Sequence, residues 1–541
     1  MHELKKSIAV AVKNVFNVDI EPELTWPDEK FGDYSTNVAL QLGKQLNKNP
    51  REVAIAVAAK MHAQPKLQEV NIAGPGFINF RLSDRAMWNA LNVSNTLAKP
   101  LTGKEILVEF GDPNPFKEMH IGHLYSYIVG DCISRLLEAS GANIKRLSYH
   151  GDVGLHVAKA IWAMLQTEAG EDLDTQQDIG MFYRRGDEAY RNDEKASEQI
   201  KTINEHIYNQ DDQRINELYR SGREKSFEYF DVVLNNMGIK TNKRYFESES
   251  AETGSQFVRA HIGKVFKESE GAVIYKGERV GLHTRVFITS KGLPTYEAKD
   301  LGLAELKNRH YPNAAQSIII TANEQSEYFK VMLAALSEFD DELAAKTRHL
   351  SHGFITLSSG KMSSRSGDVY SAVDLLADVE REAKKLYPKS PSATHLAAIK
   401  YGFLKHRLGS DIVYDAVESV SLEGNSGPYI QYAHARAMSI LSKKGKDKAI
   451  TEDNDFNSAD RSLARKIIQY PETVERACDE LLPSHITTYL YELAQTFNKF
   501  YEKSRVVGDP REAVRLTLVD YYVKVLKSGL DLLGIEAPEH L

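Results

Sequence analysis

A short strand runs through a turn-rich loop into a helix that opens on two histidines, and few architectures accommodate that order. Glu105-Ile106-Leu107-Val108-Glu109-Phe110 reads as the strand. Gly111-Asp112-Pro113-Asn114-Pro115-Phe116-Lys117-Glu118-Met119 is the loop. His120-Ile121-Gly122-His123 then opens a helix with Ile121, Leu124, Tyr125, Ile128, Val129, Cys132, Leu136 and Leu137 as its apolar stripe, and Gly141 ends it. His150-Gly151-Asp152-Val153-Gly154 follows a second strand, so the unit is strand, helix, strand, the signature of a parallel sheet. A helix N-terminus offers free N–H groups and the positive end of a dipole, which suit phosphate. Imidazoles placed there can donate hydrogen bonds to charge developing on a phosphoryl group. Gly122 leaves room for a flat base to approach the backbone. The residues alone also admit a plainer reading, in which the two histidines only cap the helix or pack at its start.

Around this unit the chain divides in three. Its 541 residues are too many for one ordinary core. Residues 1–100 read as a small α+β unit. It opens on an amphipathic helix with Ile8, Val12, Val15 and Phe16 inward. A turn at Phe31-Gly32-Asp33-Tyr34 leads to a helical stretch from Val38 to Met61, then to two strands joined at Gly74-Pro75-Gly76. Pro100 to Gly103 reads as a linker. Residues 104–390 alternate strand and helix, apart from a charge-dense helical insertion at about 166–245. Parallel strands are expected to return at Ala272–Tyr275, Val286–Ile288 and Ser317–Ile320. Residues 391–541 carry helical periodicity and almost no strand signal, with Leu490, Leu493, Phe497 and Phe500 on one face.

Charge and cysteine content narrow the classes. A net charge of −7 gives no overall pull toward nucleic acid or membrane, although local basic stripes can still bind RNA. Two distant cysteines, Cys132 and Cys478, make a disulfide scaffold or structural zinc site improbable, and no resident metal site is expected. No apolar run approaches the roughly 18 residues of a membrane span. A cytoplasmic protein is expected by default.

A second motif follows the strand Gly353–Leu357. Ser358-Ser359-Gly360-Lys361-Met362-Ser363-Ser364-Arg365-Ser366-Gly367-Asp368 is a small-residue, basic loop, and Ser371 with Asp374 forms a capping-box-like start for the next helix. Such a loop can close over polyphosphate, or can simply be a solvated surface loop.

The pair of motifs resembles the HIGH and KMSKS signatures of class I aminoacyl-tRNA synthetases. Val108 to Asp131 looks like the signature region of arginyl-tRNA synthetases. Phe31 to Asn37 and Asn71 to Phe80 are similar to that family's N-terminal extra domain. Glu423 to Arg436 looks like its entry into the anticodon-binding domain, and Leu532 to Glu539 looks like its tail. The resemblance implies a Rossmann-like catalytic domain, an N-terminal domain for the tRNA elbow and a helical anticodon-binding bundle. It implies ATP-dependent formation of arginyl-adenylate, then transfer to the terminal ribose of tRNA(Arg), with Mg2+ accompanying ATP. By the same resemblance, His120 and His123 would stabilise the α-phosphate and Lys361 would hold pyrophosphate; Gly122, Met362 and Ser363 would complete the ATP site. Asn114, Glu249, Tyr296, Asp300 and Gln325 match the family's arginine contacts. Tyr34 and Asn37, with Tyr429, Gln431, Tyr432, His434 and Arg436, match regions that meet tRNA. Members of the family usually work as monomers and often need tRNA before they activate arginine.

This chain departs from the pattern in places. Ser364 stands where the loop has a second lysine, and Lys117 is the candidate to supply that charge. Tyr125 replaces an arginine, His156 a glutamine and Lys299 an arginine, while Asp112 adds a carboxylate near the ATP site. Enzymes for glutamate or glutamine would want a basic side-chain contact, whereas the candidates here are acidic and neutral. A cysteine enzyme would be expected to carry zinc-binding cysteines. A small-molecule nucleotidyltransferase would not need the long helical region after the loop, and a non-catalytic tRNA-binding module would not need His120, His123 and Lys361.

Overall fold

The central sheet has five parallel strands, in the order Thr347–His352, Ala314–Ala322, Glu105–Glu109, Asn143–His150, Lys243–Phe246. The computed structural model describes residues 2–167, 176–358, 370–443 and 455–540. From Glu105–Glu109 the chain first adds strands on one side, then returns to add them on the other. The order therefore reverses beside Glu105–Glu109, and ligands of such sheets bind in the crevice beyond the carboxyl ends at that reversal. The histidine helix, Ile121–Ala139, starts at this crevice. Its Ser126 hydroxyl accepts from Gly111 N at 3.0 Å and donates to the Ile320 carbonyl at 3.2 Å, tying the helix to the ends of two strands.

The expected insertion forms the helices Gln176–Asn192, Glu194–Asn209 and Gln213–Asn236. Phe182, Ile200, Ile203, Ile207, Ile215 and Leu218 pack on Phe116, Val157 and Ile161 in a core of their own. That core carries the insertion over the loop preceding His120.

Three expectations are corrected. Ala272–Tyr275 and Arg285–Ile288 lie outside the parallel sheet; they pair antiparallel with each other, and Lys267–Ser269 pairs antiparallel with the first. Their connections are too short for a crossover, which needs a dozen or more residues. Glu270 and Gly271, both at positive φ, instead form a two-residue hairpin turn. Second, Val38 to Met61 is two helices, Val38–Leu46 and Pro50–Met61, broken at Asn47 in the left-handed region. Third, the C-terminal region contributes a strand, Ile412–Tyr414, parallel to Ile355–Leu357.

The N-terminal unit packs the helix His2–Phe16 and two further helices on a three-stranded antiparallel sheet. Ile8 and Val12 are fully buried there, whereas Val15 and Phe16 are half-buried. The unit is fastened to the C-terminal helices. Arg461 reaches Asp33 at 2.6 Å and Asp84 at 2.7 Å, and the Trp26 indole donates to Glu472 at 2.8 Å. The helix Asp84–Asn92 already belongs to the C-terminal core, with Trp88 stacked on Phe456 at 4.6 Å. Among the described residues, no helix is long and apolar enough to cross a membrane.

Candidate active site

A cavity of about 610 Å³ opens at the sheet's reversal point. The strand ends contribute Glu109, Thr321 and His352, and the loop contributes Gly111, Asp112 and Asn114. His120, Gly122 and His123 form one wall, and Glu247, Tyr296, Asp300, Gln325 and Tyr328 another. Of the residues expected at the amino acid, the structure thus brings together Asn114, Tyr296, Asp300 and Gln325. Glu249 is exposed and off the wall; Glu247, two residues earlier, is buried and on it. Successive helix positions are about 100° apart, so a two-residue shift changes the face.

The two histidines hold each other. His120 Nδ1 accepts from the backbone N–H of Gly122 at 3.1 Å and His123 at 3.3 Å, while His123 Nδ1 accepts from His120 N at 3.3 Å. Their rings stack 3.5 Å apart. Both sequence readings therefore meet in one geometry, a helix cap that also faces a cavity. Because each Nδ1 accepts, a neutral ring carries its proton on Nε2. Burial, with Lys117 and His352 nearby, depresses His120 to about 4, and burial beside His120 holds His123 well below its ordinary value. At neutral pH both are uncharged N–H donors.

The neighbouring loop is braced from below. Buried His150 bonds the Pro113 carbonyl at 2.7 Å and Ser148 Oγ at 2.9 Å. Gly151 N donates to Asn114 Oδ1 at 3.0 Å, and His156 bonds the Gly151 carbonyl at 2.7 Å. With its oxygen engaged, Asn114 has its amide N–H group left for the cavity. Asp152 accepts from Ser248 N, Ser248 Oγ, Tyr219 and Arg223, joining this loop to the insertion.

The cavity is acidic where sequence reasoning named only part of the set. Glu109, Asp112, Glu247 and Asp300 line it. Lys307 pairs with Glu109 at 2.9 Å and Lys299 with Glu247 at 2.6 Å. Asp300 accepts from Tyr328 at 2.6 Å, yet burial, with Glu109 and Glu247 near, raises it to about 7. Burial and Glu109 push Asp112 well above the carboxylate range, although Tyr149 N donates to it at 2.7 Å. Glu109 was missed, but a carboxylate at the end of a central strand beside a turn-rich loop is a readable signal. Glu247 had no signal separating it from Glu249.

Lys117 lies half-buried with its Nζ 4.6 Å over the Tyr183 ring, outside this cavity. Lys361, Met362 and Ser363 fall outside the described residues. Among the described residues, no group of three His, Cys, Asp or Glu is placed to hold a metal ion.

The residues expected to meet tRNA separate by burial. Tyr34 is 4% exposed and its hydroxyl donates to Glu472, so it fastens the N-terminal unit. Gln431 and His434 are buried and hold the chain's tail, through the carbonyls of Glu536 and Pro538 at 2.8 Å each. In the free chain all three have protein partners. Asn37 is half-buried and accepts from Gln41. Tyr432 is 42% exposed. Half-buried Tyr429 and Arg436 both contact Asn498, and Arg436 lies over the Tyr501 ring.

Comparison with known proteins gives this geometry its setting. Residues 87–398 match the family model for class I tRNA synthetases (R), catalytic domain. Residues 2–82 match the arginyl tRNA synthetase N terminal domain, and 430–541 the DALR anticodon binding domain. An arginine–tRNA ligase of Lactobacillus delbrueckii subsp. bulgaricus is 31% identical, over 97% of this chain and 96% of that protein. One from Limosilactobacillus reuteri is 31% identical over 100% of this chain and 99% of its own length. The structure of Thermus thermophilus arginyl-tRNA synthetase superposes with a TM-score of 0.85 at 26% identity, covering 100% of both chains. Catalytic crevice, helical insertion and both flanking units fall under one description, and the chain belongs to the arginyl-tRNA synthetases, class I aminoacyl-tRNA ligases.

Proposed function

We propose that the acidic cavity takes L-arginine, and that this chain joins it to tRNA(Arg) in the family's two steps. One observation carries the substrate assignment. Four carboxyl groups face the cavity and two lysines pair with two of them, so two are left without a lysine. Arginine brings two positive groups, the guanidinium and the α-amino group. A glutamate or glutamine substrate would find no basic partner there. Asp300, oriented by Tyr328 and beside Tyr296 and Gln325, is the proposed guanidinium contact. Glu247, held by Lys299, takes the place of Glu249 on this wall; Asp112, the other carboxyl without a lysine, is the proposed partner of the α-amino group, and the Asn114 amide meets the substrate carboxylate.

In the first step a carboxylate oxygen attacks the α-phosphorus of ATP. The bond from that phosphorus to the bridging oxygen breaks, and its electron pair leaves with pyrophosphate. His120 and His123 donate Nε2–H bonds to the α-phosphate oxygens, and their neutrality makes this stabilisation independent of an imidazolium. Mg2+ arrives with ATP as part of that substrate. Lys117 supplies charge toward the phosphates, and Lys361, Met362 and Ser363 are proposed to close on them. In the second step a terminal ribose hydroxyl attacks the activated carbonyl, the bond from that carbonyl to the phosphate oxygen breaks, and AMP leaves with the electron pair and takes up the hydroxyl proton. Exposed Tyr432 with Tyr429 and Arg436 offers stacking and hydrogen bonding to single-stranded bases. A monomer is the proposed assembly, after the family, and the cytoplasm the proposed compartment.

The test is charging of total tRNA with each amino acid in turn, with ATP and Mg2+. Arginine alone is expected to be attached; attachment of another amino acid would overturn the assignment of Asp300 and Glu247. Lys117→Ala should reduce adenylate formation by on the order of a hundredfold, the scale of one transition-state donor. Near-normal ATP–pyrophosphate exchange in that variant would remove Lys117 from the mechanism.

A further inference from the structure

A second cavity, also of about 610 Å³, shares Asn114, His120 and His123 with the first and runs from them to the insertion helix Gln176–Asn192. Lys117, Arg184 and Arg191 line it, with Glu118, Asp187 and Glu188. Arg184 donates to Glu118 at 3.0 Å. Asp187 accepts from both Lys159 and Arg191. The insertion helix sits tightly here: a Cβ on Gly180 would fall 2.4 Å from Glu118 Oε1. Burial, and the charge of Lys159, lower the Lys117 pKa, and a bound anion would act against both.

We propose that this second cavity receives the leaving pyrophosphate, and that Arg184 of the insertion binds it beside Lys117. The inference rests on the adenylation reading above. The leaving group is bonded to the phosphorus that the histidines face, so it must occupy space touching both rings. Two cavities do so. The first is lined by Glu109, Asp112, Glu247 and Asp300 and, among the described residues, by no lysine or arginine that could hold polyphosphate. The second presents the Lys117 ammonium and a guanidinium whose planar fork matches two phosphate oxygens. Arg184 shares itself between Glu118 and the anion, which lets pyrophosphate depart again.

The experiment measures arginine-dependent ATP–pyrophosphate exchange, with tRNA present, across a range of inorganic pyrophosphate concentrations. Arg184→Ala is expected to raise KM for pyrophosphate about tenfold, the scale of one charge-assisted bond. Transfer of arginine from preformed arginyl-adenylate to tRNA is expected to stay unchanged. Arg185→Ala, exposed on the same helix and outside the cavity, should match the parent. Glu118→Gln separates binding from scaffolding. If Arg184 binds pyrophosphate, freeing it from Glu118 leaves KM for pyrophosphate equal or lower. If the pair only seats the helix, Glu118→Gln raises KM as Arg184→Ala does, and the proposal is overturned. An unchanged KM in Arg184→Ala overturns it too. Should the parent catalyse no exchange, the adenylation reading fails; calorimetric titration of parent and Arg184→Ala with inorganic pyrophosphate then decides the site, equal affinity counting against it.

Discussion

Asp300 shows how one residue ties substrate choice to pH. Its carboxyl is buried among Glu109 and Glu247 and titrates at about 7, although Tyr328 donates to it. Below that pH the free protein holds Asp300 protonated, and a guanidinium must expel the proton to pair with it. With Asp300 as the proposed guanidinium contact, arginine affinity is expected to be fully present above pH 7 and lost as pH falls. KM for arginine in ATP–pyrophosphate exchange is expected to rise toward a limit of about tenfold for each unit below 7. Asp300→Asn should raise KM at every pH and abolish the slope; a flat parent profile from pH 5.5 to 8 would remove Asp300 from the guanidinium site. That Asp300, Tyr296 and Gln325 meet at one cavity was legible through the family resemblance, and the four-residue spacing of Tyr296 and Asp300 survives into the fold. The choice between Glu247 and Glu249 was not, since nothing local says which face of that helix the cavity meets.

At the scale of elements, the cavity wall depends on two helices whose backbones touch. Glu247–Ala260 carries Glu247, and Tyr296–His310 carries Tyr296, Lys299 and Asp300. They meet at Gly254 and Gly302, where a Cβ on Gly302 would lie 2.1 Å from the Ser250 carbonyl and 2.5 Å from Gly254 N. Gly302→Ala must push the helices apart, at about 1–3 kcal/mol for such overpacking. The same movement separates Glu247 from Lys299, so a lower melting temperature and a raised KM for arginine are expected together. A variant with both values unchanged would show that the wall tolerates the displacement. The strand–loop–helix unit was readable because its apolar stripe and turn residues are contiguous. The strands at 272–288 were misplaced because short apolar runs look alike in parallel and antiparallel sheets; only the short Glu270-Gly271 turn distinguishes them.

Long-range packing governs the whole molecule, and sequence reading was weakest there. Gln431 and His434 looked like RNA readers, but they bond carbonyls 105 and 104 residues away in the tail. Tyr34 likewise meets Glu472, 438 residues along. Spacing within a helix carries no sign of such partners. The fastening of the N-terminal unit follows the same logic. Arg461, 4% exposed, donates to Asp33, Asp84 and the Leu82 carbonyl at 2.6, 2.7 and 2.8 Å. Asp33, 3% exposed, also accepts from Leu82 N at 2.8 Å. Removing the guanidinium leaves buried Asp33 with only the longer Arg465 pair, at 3.7 Å, a loss of up to about 3–5 kcal/mol. Arg461→Ala is therefore expected to split denaturant unfolding into two steps, the N-terminal unit loosening first. Limited proteolysis should then cut early within exposed residues 98–100, and Asp33→Asn added to Arg461→Ala should recover part of the loss by discharging Asp33. If Arg461→Ala unfolds in one transition at the parent's midpoint, the network does not hold the unit, and the apolar contacts around Trp26 and Tyr34 carry the docking instead.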